Sequence, residues 1–266
     1  MRKIIIILAA LAASAQGRGE DGKFSSAFGV GGKRAYNNML IPYEFSGSSY
    51  GLQLEWQTLN PGMWLSDMQL NLRYNVLFAS NRAIDVKILN AAQERLGATA
   101  QYRRMVKVAA LLDRRLSLYA GGSAGVNVEY EFFIDATFSS AFLTLDFSLG
   151  AALYAEYRLG ATLFAGSFSM PLVAGTFYPH YGTGYIPFSS AGSAADYFVM
   201  APVGTLNRVS SDFRVERPIY IGGRFINTFF LGYHFGYEYS TIRDNPVRSI
   251  DHTVLLGVVF KISAMM

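Results

Sequence analysis

Cysteine is absent from this chain, and beyond the first fifteen residues so are long hydrophobic runs. Without cysteine there is no disulfide, no lipid-modified cysteine and no thiolate metal site. Without a run of about 18 apolar residues, no mature segment can cross a bilayer as a helix. The best candidate, LGAALYAEYRLGATLFAG, is broken by Glu156 and Arg158. Charge is scarce too, at 16% of residues. No run of Lys or Arg interleaves with aromatics, which argues against a nucleic-acid partner. GVGGK at Gly29 is not followed by a helix and a Ser or Thr, so it is no phosphate cradle.

What is present is apolar: half the residues are hydrophobic, 15% are aromatic, and there are 26 glycines. The opening MRKIIIILAALAASA has two bases, a short apolar run and an Ala-Ser-Ala cleavage pattern. Residues 1–15 therefore read as a secretory signal peptide, leaving residues 16–266 as one domain. Removing Arg2 and Lys3 lowers the formal charge from +4 to +2.

Apolar residues recur with period two in ten segments separated by turn or loop signals. They are Lys23–Lys33, Ser49–Thr58, Asp67–Ala79, Leu96–Val108, Arg115–Glu129, Phe142–Tyr157, Ala161–Val173, Asn207–Arg217, Phe225–Ser240 and Ile250–Ile262. Connections after the second, fourth, sixth and eighth are short: LNPGMWLS, AALLDR, RLG and PIYIG. Most others are longer, and Ala174–Leu206 is the longest. One face of each segment is apolar. The other is Gly, Ser, Asn, Gln and Thr with scattered charges, unlike the Lys- and Glu-rich surface of a soluble sandwich. Aromatics gather toward segment ends, at Tyr50, Trp56, Tyr157, Tyr237 and Tyr239. The expectation is an all-β fold, a transmembrane antiparallel up-and-down β-barrel in the bacterial outer membrane. Ten strands are expected, with eight and twelve as neighbouring even counts, and both termini are expected in the periplasm.

Several stretches carry a resemblance: YNNMLIPYEFSGSSYGLQLE (Tyr36–Glu55), LYAGGSAGVNVEY (Leu118–Tyr130), MPLVAGTFYPHYGTGY (Met170–Tyr185) and the hairpin from Phe229 to Ile262. With them the chain resembles a family of Bacteroidota outer-membrane barrel proteins catalogued as a domain of unknown function. It departs from that family over IDVKILNAAQERLG and at its end, KISAMM. The resemblance implies place and fold, and no activity.

The inward faces collect Glu55, Arg73, Arg103, Lys107, Glu129, Asp146, Glu156, Asp212, Arg214, Glu216, His234 and Glu238, with Arg158 beside them. Charges removed from water survive by pairing, so these are expected to form a polar network that plugs the lumen. His234 and Glu238 share a face and are the candidates for acid–base or metal chemistry. Four residues of strand separate them by about 13 Å, so each needs a partner from a neighbouring strand. Asp251 and His252 are adjacent and must point to opposite faces. No serine stands beside a histidine in a nucleophile pattern. The long loop holds Tyr178, Tyr181, Tyr185, Phe188 and Tyr197, an expected contact surface. The sequence therefore points to a non-enzymatic structural or docking barrel. Its partners would be outer-membrane lipid and another envelope protein met through the loops, with no cofactor and no metal. A narrow channel for small solutes and a rim hydrolase acting on lipid or peptide are the alternatives.

Overall fold

The computed structural model describes residues 21–37, 44–59, 63–80, 92–134, 139–177, 198–222, 224–242 and 246–262. The expected signal peptide and all five loop aromatics, Tyr178, Tyr181, Tyr185, Phe188 and Tyr197, lie outside the described residues.

The described chain is β throughout. Its strands are β1 (Asp21–Asn37), β2 (Glu44–Leu59), β3 (Trp64–Ser80), β4 (Ala92–Leu111), β5 (Leu116–Ile134), β6 (Ser139–Leu159), β7 (Thr162–Phe177), β8 (Phe198–Pro202), β9 (Leu206–Ile221), β10 (Arg224–Ser240) and β11 (Val247–Ile262). Neighbours pair antiparallel, β1 pairs with β11, and β6 pairs with β7. The sheet is therefore a closed ten-stranded up-and-down barrel with β8 as one short extra strand. Short turns join β2–β3, β4–β5, β6–β7 and β9–β10 at one end, here the turn end. The longer connections lie at the other, the loop end.

Register fixes the barrel's dimensions. From Asp21, partner to partner, one row passes Leu59, Leu65, Met105, Gly121, Ala152, Ser169, Ser210, Gly236 and Asp251. It returns to β1 at Lys33, twelve residues beyond Asp21. At about 3.3 Å rise and about 4.8 Å between strands, that stagger tilts the strands by about 40° and sets a backbone radius of about 10 Å. Each residue then climbs about 2.5 Å along the axis.

The strands run further than the alternation suggests. AALLDR, LNPGMWLS and PIYIG each lose residues to strands, and β4 begins at Ala92, not Leu96. The ladder continues wherever backbone partners exist, whereas alternation disappears where both faces are polar or both apolar. The expected loop Ala174–Leu206 is also corrected. β7 continues to Phe177, and Val173–Phe177 pairs with β8. Val199 and Ala201 of β8 join a cluster with Ala174, Leu206 and Ile242. Lower down, β7 pairs with β9 over Leu163–Ser169. Between these two ladders, three residues of β7 (Met170–Leu172) face seven of the opposing chain (Val203–Val209).

The barrel is apolar outside and polar inside. Phe28, Leu52, Leu72, Leu149, Phe213, Leu231 and Leu256 are exposed on the outer face. The largest fully buried side chains include Arg95 and Arg103. One inward aromatic exception needs room: Phe230 is buried, and its ring lies against Gly257. A Cβ at Gly257 would stand 2.4 Å from the Phe230 ring and 2.5 Å from the Ser26 carbonyl oxygen. Gly257→Ala is therefore expected to cost about 1–3 kcal/mol by overpacking, read as a lowered urea midpoint of the folded barrel.

Candidate functional site

The lumen holds the chemistry. Odd-numbered residues of β1 to β5 and β11 face it, as do even-numbered residues of β9 and β10.

Toward the turn end, Arg214 of β9 pairs with Glu55 of β2, and its Nε lies 2.8 Å from Glu216 Oε1. Ser25 Oγ donates to Glu55 at 3.2 Å. The Arg214 guanidinium stands 5.9 Å from the centre of the Phe230 ring. Arg103 of β4 pairs with Asp67 of β3, and neither is more than 2% exposed. Leu65, Met105, Tyr119, Ala152, Tyr154 and Ala165 form an apolar plate at this end of the lumen.

At mid-height a chain of bonds crosses the lumen. His234 Nδ1 lies 2.6 Å from Asp212 Oδ1. Arg73 Nη2 lies 2.6 Å from His234 Nε2, and Arg73 Nη1 donates to Asp251 at 3.1 Å. A guanidinium carries only donors, so Nε2 must accept and the ring proton sits on Nδ1, donated to Asp212. Gln69 and Ser167 also donate to Asp212, at 3.4 and 3.3 Å.

Toward the loop end, Arg208 Nη2 donates to both Asp146 and Glu238 at 3.0 Å. Asn127 donates to Asp146 at 3.2 Å. Lys33 reaches Glu129 at 3.2 Å, and Arg95 lies 3.3 Å from Glu129 and 3.1 Å from Glu131. A second apolar plate follows: Ala35, Phe45, Leu77, Ala79 and Phe133.

Ten of the twelve expected network residues enter these layers. Lys107 and Glu156 do not. Lys107 Nζ stands 5.8 Å from the Tyr119 ring at the turn end, and Glu156 bonds Arg158 at 3.1 Å near the mouth. His234 and Glu238 stay apart, as their spacing requires, and take separate partners on β9. Asp251 and His252 diverge: Asp251 joins the lumen, while His252 is exposed on the outer face beside Tyr233. Lys33, Asp67, Gln93, Arg95, Glu131 and Arg208 are further members that the sequence did not single out, and Asp251, weighed only beside His252, is another. Asp67 lies opposite Arg103 in the register. Arg95 and Glu131 lay beyond the expected strand ends. The two plates were hidden because Phe45, Leu65, Leu77, Met105 and Phe133 stand on the face that otherwise reads as polar.

Three spaces remain along the axis. A chamber of about 140 Å³ is lined by Arg73, Asn127, Glu129, Arg208, His234 and Asp251. A vestibule of about 660 Å³ opens at the turn end, lined by Lys23, Gln57, Glu156, Arg158 and Lys261. Between them lies a gap of about 20 Å³ beside Glu55, Arg103, Asp212, Arg214 and Phe230. A single water needs about 10–15 Å³, so this gap has room for about one water. Among the described residues, no group of three or more His, Asp or Glu is placed to hold a metal ion.

No family model matches this chain, and no curated protein does. Solved structures similar to it include outer membrane protease OmpT from Escherichia coli, at 8% identity and a TM-score of 0.48, over 91% of this chain and 96% of that one. The attachment invasion locus protein Ail of Yersinia pestis is similar at 11% identity and a TM-score of 0.39, over 90% and 99%. Outer membrane protein OprG from Pseudomonas aeruginosa is similar at 11% and 0.34, over 90% and 95%. The barrel assignment rests on the closed ladder, independently of these likenesses.

Removing one member of a buried pair strands the other. Asp67→Ala leaves Arg103 unpaired and is expected to cost about 3–5 kcal/mol. Glu156→Ala, whose partner Arg158 is two-thirds exposed, should change stability by less than about 1 kcal/mol. Urea unfolding of the two variants side by side measures the contrast.

Proposed function

We propose that this protein is a bacterial outer-membrane barrel with a plugged lumen, serving as a non-enzymatic structural or docking component of the envelope. The observation that carries the membrane assignment is the outer face. Trp64 and Tyr74 stand on it ten residues apart on β3, at 41% and 40% exposure. That separation is about 25 Å along the axis, the height of the apolar band of a membrane barrel. Between them the outward residues are Ser66, Met68, Leu70 and Leu72, with no charge. Trp56, Phe24 and Phe260 continue the lower belt on β2, β1 and β11. With an even strand count, the start of β1 and the end of β11 both fall on the turn side, which we assign to the periplasm. Membership of the Bacteroidota barrel family belongs to the same proposal, supported by the Tyr36–Glu55 and Met170–Tyr185 motifs.

The plugged lumen favours a docking or structural role over conduction, because the pairs Arg214–Glu55 and Arg103–Asp67 fill the level between the two chambers. A hydrolase is disfavoured by His234, whose two ring nitrogens are both engaged, by Asp212 and Arg73, leaving none to activate a nucleophile. A docking partner would meet the loops.

Planar-bilayer recording tests the plug. The wild-type chain is expected to give no unitary conductance steps. The double variant Glu55→Ala with Arg214→Ala removes one of the two ion pairs between the chambers and is expected to conduct. Steps in the wild type that change when Arg73 or Arg214 is neutralised would establish the channel instead. Failure of the refolded chain to float with phospholipid vesicles would sink the membrane assignment itself.

A further inference from the structure

We infer that the turn end of the barrel is a docking collar for anionic phospholipid headgroups, an inference that rests on the membrane assignment above. The charge of the chain is nearly balanced overall, but among the described residues its exposed part is not evenly placed. At the turn end, Arg104, Arg114, Arg115, Arg217 and Arg224 are all exposed, and Asp113 is the one exposed acid there among the described residues. The ladder order sets them in two groups across the ring, Arg104, Arg114 and Arg115 on the β4–β5 side and Arg217 and Arg224 on the β9–β10 side. Arg104 lies two residues from the β3 terminus by pairing with Ser66, and Arg224 pairs with Ile221 at the last rung of β9–β10. Arg114 and Arg115 crown the β4–β5 hairpin, where Leu112, Asp113 and Arg114 all have positive φ (53°, 54° and 66°).

At the loop end the outer face carries two described exposed bases, Arg34 and Arg248, and Arg34 is 2.9 Å from Glu44. Among the described residues, Arg104, Arg114, Arg115, Arg217 and Arg224 carry no such acidic partner. The Arg104 guanidinium stands 5.2 Å from the centre of the Trp64 ring. Stems that lie along apolar wall while the charge reaches the boundary are the posture of a base at a membrane interface. The occupant is then set by position and charge. The lower aromatic belt, where acyl chains give way to headgroups, lies level with Arg104 and on the loop side of Arg114, Arg115 and Arg224. A phosphate-bearing lipid whose chains cover the belt brings its anion to the arginines. Each base near an anionic surface favours it by about fivefold.

The chain carries its own reporters, because its only two tryptophans, Trp56 and Trp64, both stand in that belt. The protein is reconstituted in bilayers of phosphatidylcholine with a minority of brominated-chain phosphatidylglycerol, or with the same fraction of brominated-chain phosphatidylcholine. Tryptophan quenching is expected to be at least about twofold stronger with the brominated anionic lipid. Raising salt from about 0.1 M to about 1 M should erase the excess. The variant R114Q/R115Q/R217Q/R224Q should lose it, and R34Q/R248Q should keep it. The salt series on the wild type decides the matter even where the fourfold variant fails to fold. Equal quenching by the two lipids overturns the collar while leaving the membrane assignment intact, and hands the exposed charge to an acidic periplasmic protein. An excess that survives the fourfold substitution also overturns it. Absence of quenching by either lipid overturns both.

Discussion

Ring closure with a stagger of twelve residues is the constraint on which the rest depends. It fixes the strand tilt and hence a backbone radius of about 10 Å. Side chains as long as arginine, projecting inward from opposite walls of such a ring, meet near the axis. The lumen must then be filled, and what fills it must satisfy itself, because period-two strands with an apolar outer face leave the polar set inside.

The ties inside the lumen are not between ladder neighbours alone. Arg214 joins β9 to β2, Arg73 joins β3 to β10, Lys33 joins β1 to β5, and Arg208 joins β9 to β6. Backbone ladders hold each strand to the next, whereas these bonds hold opposite walls at one diameter and in one register. Buried ion pairs are weak as net stabilisers, since desolvation offsets most of their attraction. Their value here is specificity: a strand that slipped by one residue would turn its charges toward the apolar outside. The two apolar plates keep bulk water from the pairs and so strengthen each bond between them.

Architecture was legible in the sequence because a membrane-type barrel writes one rule over its whole length. The contrast between faces located all ten barrel strands and named most of the lumen charges. What escaped had particular causes. Arg95 and Glu131 lie where Ala92–Gly97 shows no alternation, yet the ladder continues through it. Phe45, Leu77 and Phe133 belong to the inward face and break its polarity. The link between Arg73 and His234 joins β3 to β10, strands 161 residues apart in the chain at these positions. Only the closure of the ring brings them together, and no local pattern records it. β8 is only five residues long and lies within the long connection, where so short a stretch shows no clear period-two pattern.

That short strand also decides where the wall is weakest. The chain ends are zipped together along nearly the whole of β1 and β11. Between β7 and β9 the zipper is interrupted, with four surplus residues folded back around Gly204. A cylinder cut open and rejoined is ordinarily expected to part at its stitched ends. This one is closed there without a break in register, so the least-paired stretch of its wall lies at Met170–Leu172, in the interior of the chain.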